Sequence, residues 1–171
     1  MAQNRKFQNF VENKYMADNA VGTSEIVADS VTNAKLSPAQ AKSLVFLYDF
    51  STQGGSQGAI TMTDTAGSAQ QIPDNAVITK AVIEVEAAVT SGGSATVAIG
   101  ITGNTDAFIG ATAGAKANYT LNACLDMTYR SSNGNDLPIK TGAARNVLAT
   151  IGTADLTAGK LRVYDEFYEG A

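Results

Sequence analysis

The chain has 171 residues, the length of one ordinary domain with an added arm. Its formal net charge of −4 provides no basic surface for a run of phosphates, so we expect no nucleic-acid partner. A composition of 44% hydrophobic and 16% charged residues, with 16 Gly and 1 Cys, favours strands and turns and excludes an intrachain disulfide. No apolar run reaches the ~20 residues of a membrane-spanning helix, and no apolar stretch of a secretion signal follows Met1. We therefore expect a soluble chain with no membrane partner.

Residues 1–42 predict an extended N-terminal arm, because isolated apolar residues occur there among Asn, Ala, Asp and Lys without a helix or strand period. Residues 19–26 and 29–36 are two copies of a ten-residue repeat, in which a Val precedes an Ile or Leu by five positions. So little apolar surface cannot order an arm by itself. The repeat favours winding around further copies of the chain or lying along another protein. A flexible, solvated linker is the alternative.

From residue 43 to residue 171 the apolar residues follow the two-residue period of strands. The alternation predicts strands at residues 43–50, 60–65, 77–90, 95–101, 119–130, 146–151 and 160–169. We expect the first strand to be buried on both faces, since its apolar run is continuous. We also expect residues 103–118 to form a loop that folds Phe108 and Ile109 onto the core.

Turn residues connect these predicted strands. Ser-Gly-Gly-Ser at residues 91–94 predicts that the strands on either side of it pair as a hairpin at the centre of a sheet. Short strands separated by Gly and Asn turns, with no helical period between them, are typical of sandwiches. The sequence therefore predicts an all-β fold, an antiparallel, jelly-roll-like β-sandwich that follows the arm.

Alternation also assigns side chains to faces. In the third predicted strand it places Val77 and Thr79 with the apolar face, and Glu84 and Glu86 on the opposite face. In the last strand it places Asp165 on the apolar face. There the carboxylate would prevent unwanted pairing at an edge strand or contact another subunit.

Three aromatic residues predict a possible exposed interaction surface: Tyr129, Tyr164 and Tyr168. Tyrosines of this kind can form a sugar-stacking platform or an interface patch. The alternative is ordinary core packing of the rings, with the hydroxyl groups reaching solvent.

Residue types that usually carry chemistry are missing or isolated. The chain has no His, the commonest general base and metal ligand. Cys124 would need a nearby cation to become reactive, but alternation places it beside Asp126, so we interpret it as structural. Glu84 and Glu86 have the spacing of a glycosidase carboxylate pair, although solvated strands carry such pairs routinely. No phosphate loop or calcium loop is present. We expect no enzymatic activity, no cofactor and no metal.

Several segments resemble small virion proteins that tailed bacteriophages encode among their head genes. They are Ile-Pro-Asp-Asn-Ala-Val-Ile-Thr-Lys-Ala at 72–81, the alternating strand that follows it, the Ser-Gly-rich turn and strand ending in Ile-Gly-Ile at 99–101, and Asp-Leu-Thr-Ala-Gly-Lys-Leu at 155–161. The arm repeat is similar to the Asp-Xaa-Ala-Val-Thr-Xaa-Ala-Lys-Leu repeats that precede the heads of phage fibres.

The resemblance implies a capsid decoration (cement) or head-fibre protein that forms a homotrimer. It would be made in the host cytoplasm, reside on the capsid surface of the virion, and bind the major capsid protein through its arm. The expected anchoring residues are Phe7, Phe10, Val11, Tyr15, Met16, Val21, Ile26, Val31 and Leu36. The alternative is a short tail fibre or spike whose exposed tyrosines bind a host-surface glycan.

Overall fold

A computed structural model of the protein describes residues 40–111, 115–127 and 137–170. Its strands are β1 (Lys42–Asp49), β2 (Gly58–Thr61), β3 (Ala76–Ser91), β4 (Thr96–Ile101), β5 (Asn104–Ile109), β6 (Cys124–Met127), β7 (Ile139–Lys140), β8 (Val147–Gly152) and β9 (Leu156–Glu169). The helical elements of these residues are α1 (Phe50–Gln53) and a 3-10 turn (Lys116–Asn118). Nearly all of the predicted arm lies outside the described residues, so its boundary and repeat stay predictions.

The strands form two antiparallel sheets that pack face to face. The first sheet has the order β1-β9-β3-β6, with β7 also paired to β3, and the second sheet has the order β2-β8-β4-β5. The pairing is nested: β1 pairs with β9, β2 with β8, β3 with β6, and β4 with β5. The pairs enclose one another along the chain, from β4–β5 as the innermost to β1–β9 as the outermost. The predicted all-β antiparallel sandwich is confirmed.

The core lies between the two sheets and consists of the inward side chains of both. In the first sheet the fully buried inward residues include Phe46, Ile83 and Val163, and in the second sheet they include Ile99 and Ala149. Burial of each large apolar side chain contributes about 1.5–3 kcal/mol. The period-two pattern of the sequence therefore stabilises the fold directly, because each strand supplies one apolar face to a shared interior.

The predicted central hairpin is wrong. β3 belongs to the first sheet and β4 to the second, so the chain crosses between sheets at the intervening turn instead of pairing across it. The turn is held by Ser91, whose hydroxyl accepts from the Gly93 N–H at 3.1 Å and donates to the Asp155 carbonyl oxygen at 2.6 Å. β3 and β4 each carry one apolar face, and both faces are buried when the strands lie in opposite sheets with the core between them. The structure has this arrangement and not the hairpin.

The face assignment of β3 needs one correction. Val77 and Thr79 are half-buried, whereas Ala76, Ile78 and Ala81 are fully buried. The pairing of β3 with β9 is irregular between Ile78 and Lys80. An extra residue at this point reverses the alternation, so the prediction holds only beyond it.

Other local predictions are corrected in part. The expected loop at 103–118 contains β5, although Phe108 and Ile109 are buried as expected. The strand expected at 119–130 begins only at Cys124 and is described to Met127. β1 was expected to be buried on both faces, but only its inner face is buried and its outer face is partly exposed.

One long side of the sandwich is closed by the segment that follows β2. The Met62 N–H donates to β8 of the second sheet at 2.9 Å. The next residue, Thr63, exchanges two backbone hydrogen bonds with Leu47 of β1 at 2.7 and 3.1 Å. The Gln70 side-chain amide also donates to the Val45 carbonyl oxygen at 3.0 Å. Together these contacts cover much of the edge of β1, which would otherwise offer unpaired backbone groups to another chain.

The opposite side is closed by residues 115–124, and Tyr119 is the main link. Its carbonyl oxygen accepts from the Val89 N–H of the first sheet at 3.0 Å. Its hydroxyl donates to the Val97 carbonyl oxygen of the second sheet at 2.7 Å. Since Tyr119 is fully buried, both hydrogen bonds form away from water and hold the two sheets together.

Both described ends of the sandwich chain lie at the same end of the first sheet. Lys42, at the start of β1, is opposite Phe167 near the end of β9. The Lys42 ammonium also lies 2.8 Å from a carboxylate oxygen of Glu169. β3 starts at this end and reaches the opposite end at Ser91. The start of β1 therefore lies beside the end of the C-terminal strand.

Candidate interaction surface

The outward side of the first sheet contains the two predicted site residues that the structure describes. β9 directs Leu161, Val163 and Phe167 into the core, so its intervening side chains point outward. We call the resulting surface the tyrosine face. Its members on β1, β9 and β3 are Val45, Leu47, Val82, Glu84, Glu86, Lys160, Arg162, Tyr164, Glu166 and Tyr168.

Tyr164 is at the centre of this face. Its hydroxyl donates to Glu84 Oε2 at 2.7 Å, and Arg162 Nη1 lies 3.5 Å from the same hydroxyl oxygen. The hydrogen bond to the Glu84 carboxylate raises the pKa of Tyr164. The Tyr164 hydroxyl in turn raises the pKa of Arg162. The ring is held in place by its hydroxyl, which reduces its freedom to adapt to a ligand.

Charged side chains continue along the face as a ladder of ion pairs. Glu86 contacts the Arg162 guanidinium with one oxygen and lies 3.0 Å from Lys160 Nζ with the other. Lys160 Nζ also lies 3.8 Å from a carboxylate oxygen of Asp49. Hydrogen bonds from the Ser51 hydroxyl and N–H are the main cause that lowers the pKa of Asp49. These partly exposed pairs are each worth about 0–1 kcal/mol and neutralise one another's charge.

Valines flank both tyrosines. Tyr164 is opposite Val45 on β1 and Val82 on β3, and Tyr168 is opposite Val77. Cross-strand pairs of aromatic and β-branched residues stabilise a sheet by about 0.2–1 kcal/mol each. Because the two tyrosines are four residues apart on one strand, their rings are separated by roughly 13 Å. They offer two separate contact points on a sheet surface.

The predicted site residues divide into two groups. Tyr164 and Tyr168 are 36% and 37% exposed, and their role in an interaction stays a prediction. Tyr129 lies outside the described residues, as do all of the predicted anchoring residues: Phe7, Phe10, Val11, Tyr15, Met16, Val21, Ile26, Val31 and Leu36. The Glu84–Tyr164 contact gives no signal in the sequence, because it depends on the pairing of strands that are distant in the chain.

The residues considered for chemistry are placed as follows. Glu84 and Glu86 are both members of the tyrosine face. Glu84 accepts from the Tyr164 hydroxyl, and Glu86 pairs with Lys160 and Arg162. Cys124 is an exposed free thiol on β6 and does not pack in the core. In the described ranges, no group of three or more His, Cys, Asp or Glu side chains is arranged to hold a metal ion. No helix in this part of the chain is long and apolar enough to cross a membrane.

No protein-family model matches this chain, and no curated protein matches it closely enough to count as a relative.

Solved structures with the same fold include chains from three phage capsids. A chain of the acidic stable capsid structure of Helicobacter pylori bacteriophage KHP30 is 12% identical with a TM-score of 0.50, covering 77% of this chain and 89% of that chain. A chain of the cyanophage Pam1 capsid asymmetric unit is 16% identical with a TM-score of 0.50, covering 82% of this chain and 98% of that chain. A chain of the capsid of Ralstonia phage GP4 is 15% identical with a TM-score of 0.52, covering 78% of this chain and 86% of that chain. At such identities the likeness shows a shared fold.

Proposed function

We propose that this protein is a bacteriophage virion structural protein, a capsid decoration (cement) or head-fibre protein. One observation carries the proposal: the sandwich shares its fold with chains from three phage capsids, over at least 77% of this chain and 86% of each other chain. The matched chains are thus similar to this one in length. The sequence segments that resemble phage head-gene products support the same role independently.

The major capsid protein is the proposed partner, and the arm is the proposed contact. Apolar and aromatic arm residues, including Phe7, Phe10 and Tyr15, are interspersed with Arg5 and Lys6. Side chains of this type dominate the energy of protein interfaces. The sandwich supplies a stable body of its own, since its buried core belongs to the described residues.

A homotrimer strengthens this mode of attachment. Three arms on one trimer reach neighbouring shell subunits together, so contacts that are weak one at a time sum by avidity. Closed rotational symmetry also limits assembly to a defined particle.

Binding to purified capsids tests the proposal. The full chain is compared with a variant carrying Phe7→Ala, Phe10→Ala and Tyr15→Ala, and with a chain lacking residues 1–36. We expect both changes to abolish cosedimentation with capsids, while the circular dichroism of the sandwich is retained. Tyr168→Ala is the matched control, since it removes an exposed aromatic residue of the sandwich and should leave binding intact. Full capsid binding by the truncated chain would contradict the anchor.

The second candidate is a short tail fibre or spike that binds a host-surface glycan. The exposure of Tyr164 and Tyr168 on one face favours it, because aromatic rings stack on sugars. Cryo-electron microscopy of the virion distinguishes the two candidates by locating the protein on the shell lattice or at the tail. For the glycan role, Tyr164→Ala and Tyr168→Ala would reduce adsorption of phage to host cells without affecting capsid binding.

A further inference from the structure

Asp165 is a carboxyl group in the middle of the hydrophobic core. It lies on the inner face of β9, 1% exposed, between Leu44 of β1 and Ala81 of β3. Neither of its side-chain oxygens has a hydrogen-bond partner within the described part of the chain. β9 is paired on both sides, so the expectation that Asp165 guards an edge strand is wrong.

Among the described residues, the inner surfaces around Asp165 offer no unpaired group that compensates a negative charge. Of the titratable side chains there, Lys42 of β1 is paired with Glu169 of β9 at 2.8 Å. Tyr48 of β1 and Tyr119 each donate their hydroxyl to a backbone carbonyl oxygen. The inner face of β3 carries only apolar side chains, and β2, β4 and β8 of the second sheet contain no charged residue.

An ionised carboxylate in such a place is very unfavourable, because burial removes its hydration and nothing replaces it. A protonated carboxyl is uncharged and much less costly to bury. We propose that Asp165 is kept protonated inside the folded sandwich, so that folding takes up a proton and the protein is a pH-sensitive module that is stabilised by acidification. The proposal is independent of what the protein binds.

The direction of the effect follows from linkage. Desolvation by burial raises the pKa of Asp165 well above its ordinary value of 3.8. At a pH below that ordinary value, Asp165 is protonated in both the folded and the unfolded chain, so its protonation equilibrium does not reduce the stability of the fold. As the pH rises toward the folded-state pKa, only the unfolded chain releases its proton, and the folded state loses stability. Each pH unit in this window changes the unfolding equilibrium constant by up to tenfold.

Urea unfolding of the full chain from pH 4.5 to pH 8, at one protein concentration, tests the proposal. The unfolding constants of the wild type and of Asp165→Asn are compared at each pH, so that the contributions of all other groups cancel. We expect the wild-type constant to rise relative to that of the variant by up to tenfold per pH unit. Glu166→Gln is the matched control, since it removes the neighbouring exposed carboxylate and should leave the wild-type pH dependence unchanged.

A second measurement keeps the proposal testable if Asp165→Asn does not fold. The carboxyl ¹³C chemical shift of Asp165 in the folded wild type reports its protonation directly. We expect the shift of a protonated carboxyl to persist well above pH 3.8, the ordinary pKa of this group. A titration midpoint close to 3.8, the ordinary value, would overturn the proposal, as would a ratio of unfolding constants that does not vary with pH.

Discussion

The two sheets of the sandwich stabilise their outward sides in different ways. The strands β2, β4 and β8 of the second sheet contain no charged residue. The outward side of the first sheet, by contrast, carries many charged residues on β1, β3 and β9: Asp49, Lys80, Glu84, Glu86, Lys160, Arg162 and Glu166. The first sheet thus has an outward surface of charged side chains, whereas β2, β4 and β8 give the second sheet a neutral one. The comparison shows that one core can support two outward surfaces of very different chemistry.

Close backbone packing takes the place of side-chain contacts in the second sheet. β5 pairs with β4 irregularly, with Ile99 opposite Ile109 but Ile101 opposite Asn104. The additional residues of β5 bring its backbone directly against Gly100. This glycine is required because there is no space for a side chain, and the same restriction does not exist on the tyrosine face.

The largest expected effect is therefore that of Gly100→Ala. A Cβ at this position would overlap the backbone of Asn104 and Thr105 and lie 2.7 Å from Ala107 N. Backbone atoms cannot move aside as a flexible side chain can, so we expect a loss of stability of about 3 kcal/mol or more, measured by urea unfolding.

Gly92→Ala is the control for this prediction, because a Cβ at Gly92 meets no atom within 4 Å. Its effect should be below about 1 kcal/mol. Equal stability of the two variants would show that β5 does not restrict β4, and the contrast between the sheets would lose its basis.

A smaller effect is expected from Tyr119→Phe, which removes one of the two links that this residue makes between the sheets. The buried Val97 carbonyl oxygen loses its donor, and an unsatisfied buried group costs about 1–3 kcal/mol. Thermal unfolding should show a lower midpoint for this variant. In the control Tyr48→Phe the lost hydroxyl bonds to Gly54, which is exposed to water, so the loss should be smaller. The reverse order would argue against Tyr119 as the link.

The smallest expected effect is that of Glu86→Gln on the tyrosine face. The substitution removes the carboxylate shared by Arg162 and Lys160, and we expect a loss of about 0.5–1 kcal/mol in low salt. Because salt screens partly exposed charges, the difference should shrink as ionic strength rises to about 1 M. Glu166→Gln, an exposed neighbour outside the ladder, should have no such salt dependence. A salt-independent loss for Glu86→Gln would indicate packing as its main contribution.

The sequence predicts the strands well because each needs one apolar face. Alternation places Leu161, Val163 and Phe167 inward, and the structure buries all three. It cannot predict which strands pair, since every strand of a sandwich has the same pattern whichever sheet it joins. The hairpin expected across residues 91–94 failed for this reason. The irregularity at Thr79 was also invisible, because it depends on the pairing of β3 with β9.

The candidate surface was predictable only in its individual members. Alternation exposes Tyr164 and Tyr168, but the hydrogen bond from Tyr164 to Glu84 joins residues 80 positions apart. Only the register of β3 and β9 brings them together. Alternation predicts Asp165 as a polar residue on an apolar face, but its complete burial depends on the position of β9 between β1 and β3.

The position of the turn between β3 and β4 has a practical consequence for engineering. Lys42 and Glu169 lie at one end of the first sheet, and Ser91 lies at the other. A peptide inserted at Gly92 would therefore be displayed on the end of the sandwich away from both. Such a reporter would leave the proposed N-terminal contact unlabelled, so that labelling and capsid binding can be tested on the same molecule.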